Sequence, residues 1–243
     1  MRTFIVHPEQ HGPFPAVILY MDIWGVREEL YDIARWVATV GYCCVVPDLY
    51  YRQAVVVGEI RDQRGRAISL DRLDEATRGQ VLAPLKKFSD GEAMDDTGAI
   101  LRFLADDEAV RAGAAGCFGY CLGGRLSLRA AARFPETIKA AASLHGTRLA
   151  SDDVDSPHLA AGKIQGEFYC GFAEHDPYTP PATVAQMAAA MRSSAAKYRY
   201  EVHAGTEHGY ALPDRDIYNK AATVRDWEMI LAMFHRQIPP YRA

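Results

Sequence analysis

Three residues of this 243-residue sequence have the types and the chain order that acyl transfer from a thiol requires: Cys121, Asp176 and His208. Cys121 lies in Gly119-Tyr120-Cys121-Leu122-Gly123-Gly124, a Gly-x-Cys-x-Gly pattern. Residues 112–118 before it are an apolar run that reads as a buried strand, and residues 125–133 after it have helical composition. A nucleophile elbow needs this succession: strand, sharp turn with the reactive side chain at its apex, then helix. Small residues flank the apex because the helix must pack close to the strand. A thiol at a helix N-terminus also feels the positive end of the dipole, which favours the thiolate. A Gly-rich turn around an inert cysteine would have the same six residues, so the reading depends on partners elsewhere in the chain.

Those partners follow two later strands. Glu174-His175-Asp176-Pro177 comes after a predicted strand at 164–172, and Gly205-Thr206-Glu207-His208-Gly209 after one at 198–203. Nucleophile, acid, histidine is the order of the α/β-hydrolase fold. Free cysteine is only about 3% thiolate at pH 7, and a histidine that takes the proton corrects this. A carboxylate then fixes the imidazole tautomer and stabilises its charge. Among eight histidines, His208 is the best base, because it sits in a Gly-flanked loop after the penultimate element. His203 ends a strand and reads as structural, His175 belongs to the acid's loop, and His7, His11, His158 and His235 read as solvated. Taken alone, Asp176 could cap a helix before Pro180-Pro181 and His208 could brace a loop; their joint order argues for chemistry. The oxyanion donors of such a site are the backbone N–H groups of Leu122 and of Ile23, which follows an early strand. Asp22 in that loop is unusual beside a thiolate. It is expected either to accept a hydrogen bond from the neutral thiol or to serve as a turn aspartate.

The elements that position these residues alternate. Residues 3–6 and 15–20 read as strands joined by a Gly/Pro turn. A helix at 28–40 stops at Gly41, and 42–46 is an almost wholly apolar strand, as a sheet covered on both faces requires. Helices are expected at 92–104, 181–192 and 219–238, and a further strand at 137–144. Residues 52–91 are charged and weakly periodic, with too few apolar side chains for a core of their own; they read as a surface excursion of short helices. With no repeat and no linker, the pattern predicts one α/β domain over 1–243, a doubly wound, mostly parallel sheet with helices on both faces. Ligands bind such sheets at the C-terminal strand ends, where all three reactive residues fall.

Composition excludes several classes. The chain is 49% hydrophobic and 24% charged, with a net charge of −4 and a pI near 6.1. Neither nucleic acid nor an anionic membrane is an expected partner. The five cysteines (Cys43, Cys44, Cys117, Cys121, Cys170) form no CxxC pair and no metal-ligand spacing. All but Cys121 sit in apolar, strand-like runs as small hydrophobes. An odd count without a signal-like N-terminus or an eighteen-residue apolar stretch points to the cytoplasm. Nothing in the sequence reads out an oligomeric state, monomer or homodimer.

Together, GYCLGG, the DIWGV loop at 22–26, the PDLYYR segment at 47–52 and the late Asp176 and His208 resemble the dienelactone hydrolase family over essentially the whole chain. The resemblance implies Cys121 as nucleophile, Asp176 as acid, His208 as base, and Ile23 and Leu122 as oxyanion donors. It also implies hydrolysis of lactones and other small activated esters without metal or organic cofactor. Two departures stand out. The family's glutamate that holds the resting thiol is matched by the shorter Asp22. The family also holds a substrate carboxylate with arginines, one shortly after the histidine, whereas here none follows His208 until Arg215. Hydrolysis is therefore better supported than dienelactone as the substrate. Trp24, Tyr50, Tyr120, His145 and Tyr210 are expected to line an aromatic pocket. The competing readings are the same triad acting on a thioester or an organophosphate ester, and a non-catalytic hydrolase-like binding module.

Overall fold

A computed structural model describes residues 1–53 and 58–241. Its strands are β1 (Thr3–Val6), β2 (Phe14–Tyr20), β3 (Cys43–Pro47), β4 (Val110–Tyr120), β5 (Ile138–Leu144), β6 (Glu167–His175) and β7 (Lys197–Glu207). They form one seven-stranded sheet in the order β1-β3-β2-β4-β5-β6-β7. Every pairing is parallel except β1 with β3. The Gly/Pro turn at 11–13 therefore does not close a hairpin: β1 crosses to the far side of β3 and β2 stays central. β2 and β3 are buried at every position, as strands covered on both faces must be.

The helices are α1 (Glu28–Thr39), α2 (Glu75–Leu82), α3 (Asp90–Ala105), α4 (Leu122–Arg133), α5 (Pro181–Arg192) and α6 (Lys220–Gln237). Side chains alternate along a strand, so neighbours on β4 report on opposite faces. Cys117 Sγ lies 3.8 Å from the Ser127 carbonyl of α4, while the Phe118 ring packs on Trp227 of α6 at 5.2 Å. Trp227 in turn meets Trp36 of α1 at 4.5 Å, and Asp90 at the start of α3 pairs with Arg125 and Arg129 of α4. One face thus carries α1 and α6, the other α3 and α4.

The chain runs from β2 through α1 to β3 on one side, then returns to β4 on the other. This reversal places a crevice between the C-terminal ends of β2 and β4. The 52–91 excursion is a chain of short pieces: a 3-10 turn at Leu70–Arg72, α2 with Asp74 capping the Thr77 N–H at 2.9 Å, and a second 3-10 turn at Ala83–Lys87. Residues 54–57 of it lie outside the described residues.

Candidate active site

Cys121 stands between β4 and α4 with φ 54° and ψ −112°, a backbone conformation that an L-residue adopts only under constraint. The glycines around it are there for space. A Cβ on Gly119 would lie 2.5 Å from the Gly123 carbonyl oxygen, and one on Gly123 would lie 2.3 Å from the Tyr20 carbonyl oxygen. The first turn of α4 therefore rests directly on the end of β2. This brings Ile23, just past β2, and Leu122, the first residue of α4, to one cavity with Cys121. The Leu122 N–H, in the first turn, has no carbonyl partner within its helix.

His208 and Asp176 come from the loops after β7 and β6. His208 Nδ1 lies 2.8 Å from Asp176 Oδ2, and Asp176 Oδ1 accepts the Tyr178 N–H at 2.9 Å. Asp176 is buried, which restricts the geometries it can adopt. Burial pushes the His208 imidazolium toward deprotonation. The charge of Cys121 and hydrogen bonds with Asp176 and Cys121 outweigh it and raise the pKa from 6.5 to about 10. An imidazole so held can carry the proton that a thiol gives up.

Asp22 is engaged elsewhere. Its Oδ1 accepts from the Trp24 N–H at 2.9 Å and from Arg27 Nη1 at 2.8 Å, and its Oδ2 from Arg27 Nη2 at 3.1 Å. Arg27 also meets Glu59 at 2.7 Å and Asp214 at 3.1 Å. This buried group ties the Ile23 loop to the excursion and to the segment after His208.

The cavity has a volume of about 240 Å³ and is lined by Cys121, His208, Ile23, Trp24, His145 and Leu122, among others. Its roof comes from the excursion: Ser69, Leu70, Asp71, Leu82, Leu85 and Phe88. Residues 69–88 of the excursion are therefore a wall of the site as well as part of a surface segment. Their weak periodicity hid this, because a roof residue needs only one apolar face toward a ligand. Tyr178, also absent from the sequence reading, lays its ring 4.8 Å from that of His208 and donates its hydroxyl to Asp71, joining the acid loop to the roof.

Of the five aromatic pocket candidates, Trp24 and His145 line the cavity. The other three do not. Tyr50 packs on Phe88 behind the roof, at 5.8 Å, and Tyr120 is wholly buried beside His145. Tyr210 points away, its hydroxyl bonded to Asp226 of α6 at 2.6 Å. Only Tyr120 ends a strand; Tyr50 and Tyr210 lie in the loops after β3 and β7 and are turned away by their contacts with Phe88 and Asp226. His145 has φ 38°, and both of its ring nitrogens lack a partner among the described residues. Burial first, then the charges of His208 and Arg215, hold it well below 6.5 and so neutral.

Arg215 is the further residue that spacing concealed. It is 5% exposed, lines the cavity and lies 4.8 Å over the Trp24 ring. Its Nη2 reaches only the Ile68 carbonyl, at 3.4 Å, while Nε and Nη1 have no partner among the described residues. A buried guanidinium left this way is costly unless an anion meets it. Among the described residues no three His, Cys, Asp or Glu side chains gather as a metal site, and no helix is long and apolar enough to cross a membrane.

The parallel sheet, the strained residue between β4 and α4 and the acid and histidine loops beyond it define an α/β-hydrolase. Residues 1–238 match the model of the dienelactone hydrolase family, and the chain belongs to that hydrolytic family. A Synechocystis protein described as "Putative carboxymethylenebutenolidase" is 25% identical over 238 residues, 97% of this chain and 91% of its own length. The carboxymethylenebutenolidase of Pseudomonas putida is 31% identical over 122 residues, 50% of this chain and 47% of its own length. A solved structure titled as a "Putative Dienelactone Hydrolase" from Klebsiella pneumoniae superposes with a TM-score of 0.80 at 25% identity, covering 96% of this chain and 92% of that one.

Proposed function

We propose that this enzyme hydrolyses lactones or small activated esters through a Cys121 acyl-enzyme. The observation that carries the reading is the 2.8 Å contact of His208 with buried Asp176, at a cavity that Cys121 enters from a strained elbow. The Cys121 thiolate attacks the carbonyl carbon, and the oxyanion takes hydrogen bonds from the Ile23 and Leu122 N–H groups. As the C–O bond breaks, His208 passes its proton to the leaving alkoxide, which in a lactone stays tethered to the acyl chain. His208 then takes a proton from water, hydroxide attacks the thioester, and the acid leaves with Cys121 restored.

The substrate we infer carries a carboxylate. Arg215 supports this, since it lines the cavity and two of its buried guanidinium nitrogens have no partner among the described residues. The names of the butenolidase relatives fit the same class. The apolar roof of Leu70, Leu82, Leu85 and Phe88 suits a substrate whose remaining surface is hydrocarbon. One domain over the whole chain and a cytoplasmic location belong to the same proposal.

The test is turnover of a p-nitrophenyl ester panel with and without iodoacetamide, repeated on Cys121→Ala. Loss of turnover in both supports the reading, whereas retained turnover in Cys121→Ala would overturn it.

A further inference from the structure

Asp226 is a fully buried carboxylate that the chemistry above leaves unused. A buried anion is tolerated only when well bonded, and this one has three donors. Oδ1 accepts from Tyr169 Oη and from His203 Nε2, both at 2.7 Å, and Oδ2 accepts from Tyr210 Oη at 2.6 Å. The donors come from β6, from β7 and from the loop that carries His208. The cluster needs Gly171: a Cβ there would lie 2.5 Å from Asp226 Oδ1 and 2.6 Å from Tyr210 Oη.

Tyr210 is two residues from His208, across Gly209 at φ +101°. Its carbonyl is fixed as well, accepting the Asn219 N–H at 2.9 Å just before the start of α6. Both ends of Tyr210 are therefore bound at one helix. Its ring packs on His145 at 5.6 Å, and His145 packs on His208 at 4.9 Å. Gly171 closes the circuit, since its carbonyl accepts the His145 N–H at 2.8 Å.

We propose that Asp226 is a positioning residue for His208, acting through the hydroxyl of Tyr210. Its carboxylate sets where the turn 208–210 sits on α6, and hence the angle at which the imidazole meets both Asp176 and Cys121. The proposal rests on the triad reading above. His203 and Tyr169 hold the other oxygen and act on stability alone.

Tyr210→Phe and Tyr169→Phe each delete one hydroxyl from the same carboxylate, but only the first lies on the His208 loop. The experiment measures kcat, KM and the pH profile of kcat with p-nitrophenyl acetate, per folded molecule, together with Tm. Tyr210→Phe is expected to lower kcat about 10-fold with KM unchanged and to shift the pH profile, as a displaced catalytic group does. Tyr169→Phe is expected to lower Tm while kcat stays within about twofold and the profile holds. Equal kcat losses in the two variants, or an unchanged kcat in Tyr210→Phe, overturn the proposal. His208→Ala is measured alongside: if it retains turnover, the triad reading falls and the positioning role falls with it, whatever the tyrosine pair shows.

Discussion

Arg27 grips Asp22 with both Nη atoms, at 2.8 Å to Oδ1 and 3.1 Å to Oδ2. The carboxylate that a sequence reading places against the thiol is thus compensated by a guanidinium. Asp22→Asn is expected to leave the pH midpoint of Cys121 alkylation nearly unchanged. It should cost about 1.5–3 kcal/mol of stability, the scale of a hydrogen bond to a charged group, read by urea unfolding. A fall of a full unit in the alkylation midpoint would mean that Asp22 acts on the thiol directly.

Cys121 should be the first of the five cysteines to react with iodoacetamide. Burial pushes Cys43 and Cys170 up to about 12, and Cys44 and Cys117 are raised by burial as well. All four are wholly buried, whereas Cys121 is 7% exposed. Mass spectrometry that finds any other cysteine labelled earlier would refute this.

His208 makes the stability of the fold depend on pH. Its pKa in the fold, about 10, lies above the ordinary 6.5. The folded state therefore holds the proton more tightly than the unfolded state. The stabilisation is complete below about 6.5 and is lost as pH rises through about 10. Cys121→Ala removes the largest upward influence, so the His208 titration followed by NMR should move down and the stability loss should begin at lower pH. His208→Ala should reduce turnover by at least about 10²-fold, the scale of a lost general base. An unmoved titration in Cys121→Ala would separate the two residues.

Arg215→Gln tests the inferred substrate carboxylate. For a carboxylate-bearing lactone, kcat/KM should fall by about 10- to 100-fold, the worth of a charge-assisted hydrogen bond, mainly through KM. Turnover of neutral p-nitrophenyl acetate should be nearly unaffected. Parallel losses on both substrates would assign Arg215 to the scaffold through its stacking on Trp24.

Gly123→Ala should cost at least about 1–3 kcal/mol, because the new Cβ would press on backbone oxygen of β2, 2.3 Å away, and backbone cannot swing aside. Gly162→Ala, with nothing within 4 Å of its Cβ, is the matched control. Thermal melts of the two variants that coincide would mean α4 shifts freely on β2.

Much was legible from residue order. Apolar runs and helical periodicity foretold the alternating elements and the mostly parallel sheet, because burial on two faces writes itself into short local stretches. Cys121, Asp176 and His208 could be picked out because each follows a strand, and Gly119 and Gly123 because close backbone approach admits no other residue. Element ends were less legible: β4 runs over Val110–Tyr120 and α4 starts at Leu122, directly after Cys121, although its first residues include two glycines. Tertiary contact overrides their low helical propensity. Only the fold decided the rest. Asp22 went to Arg27, Tyr210 to Asp226, Arg215 to the cavity, and Leu82 and Phe88 to its roof. Tyr210 is held by a helix residue sixteen positions on, Arg27 is shared with Glu59 and Asp214 from distant segments, and the roof residues come from a weakly periodic stretch. Where such groups meet depends on the sheet that carries those segments, and no local pattern records it.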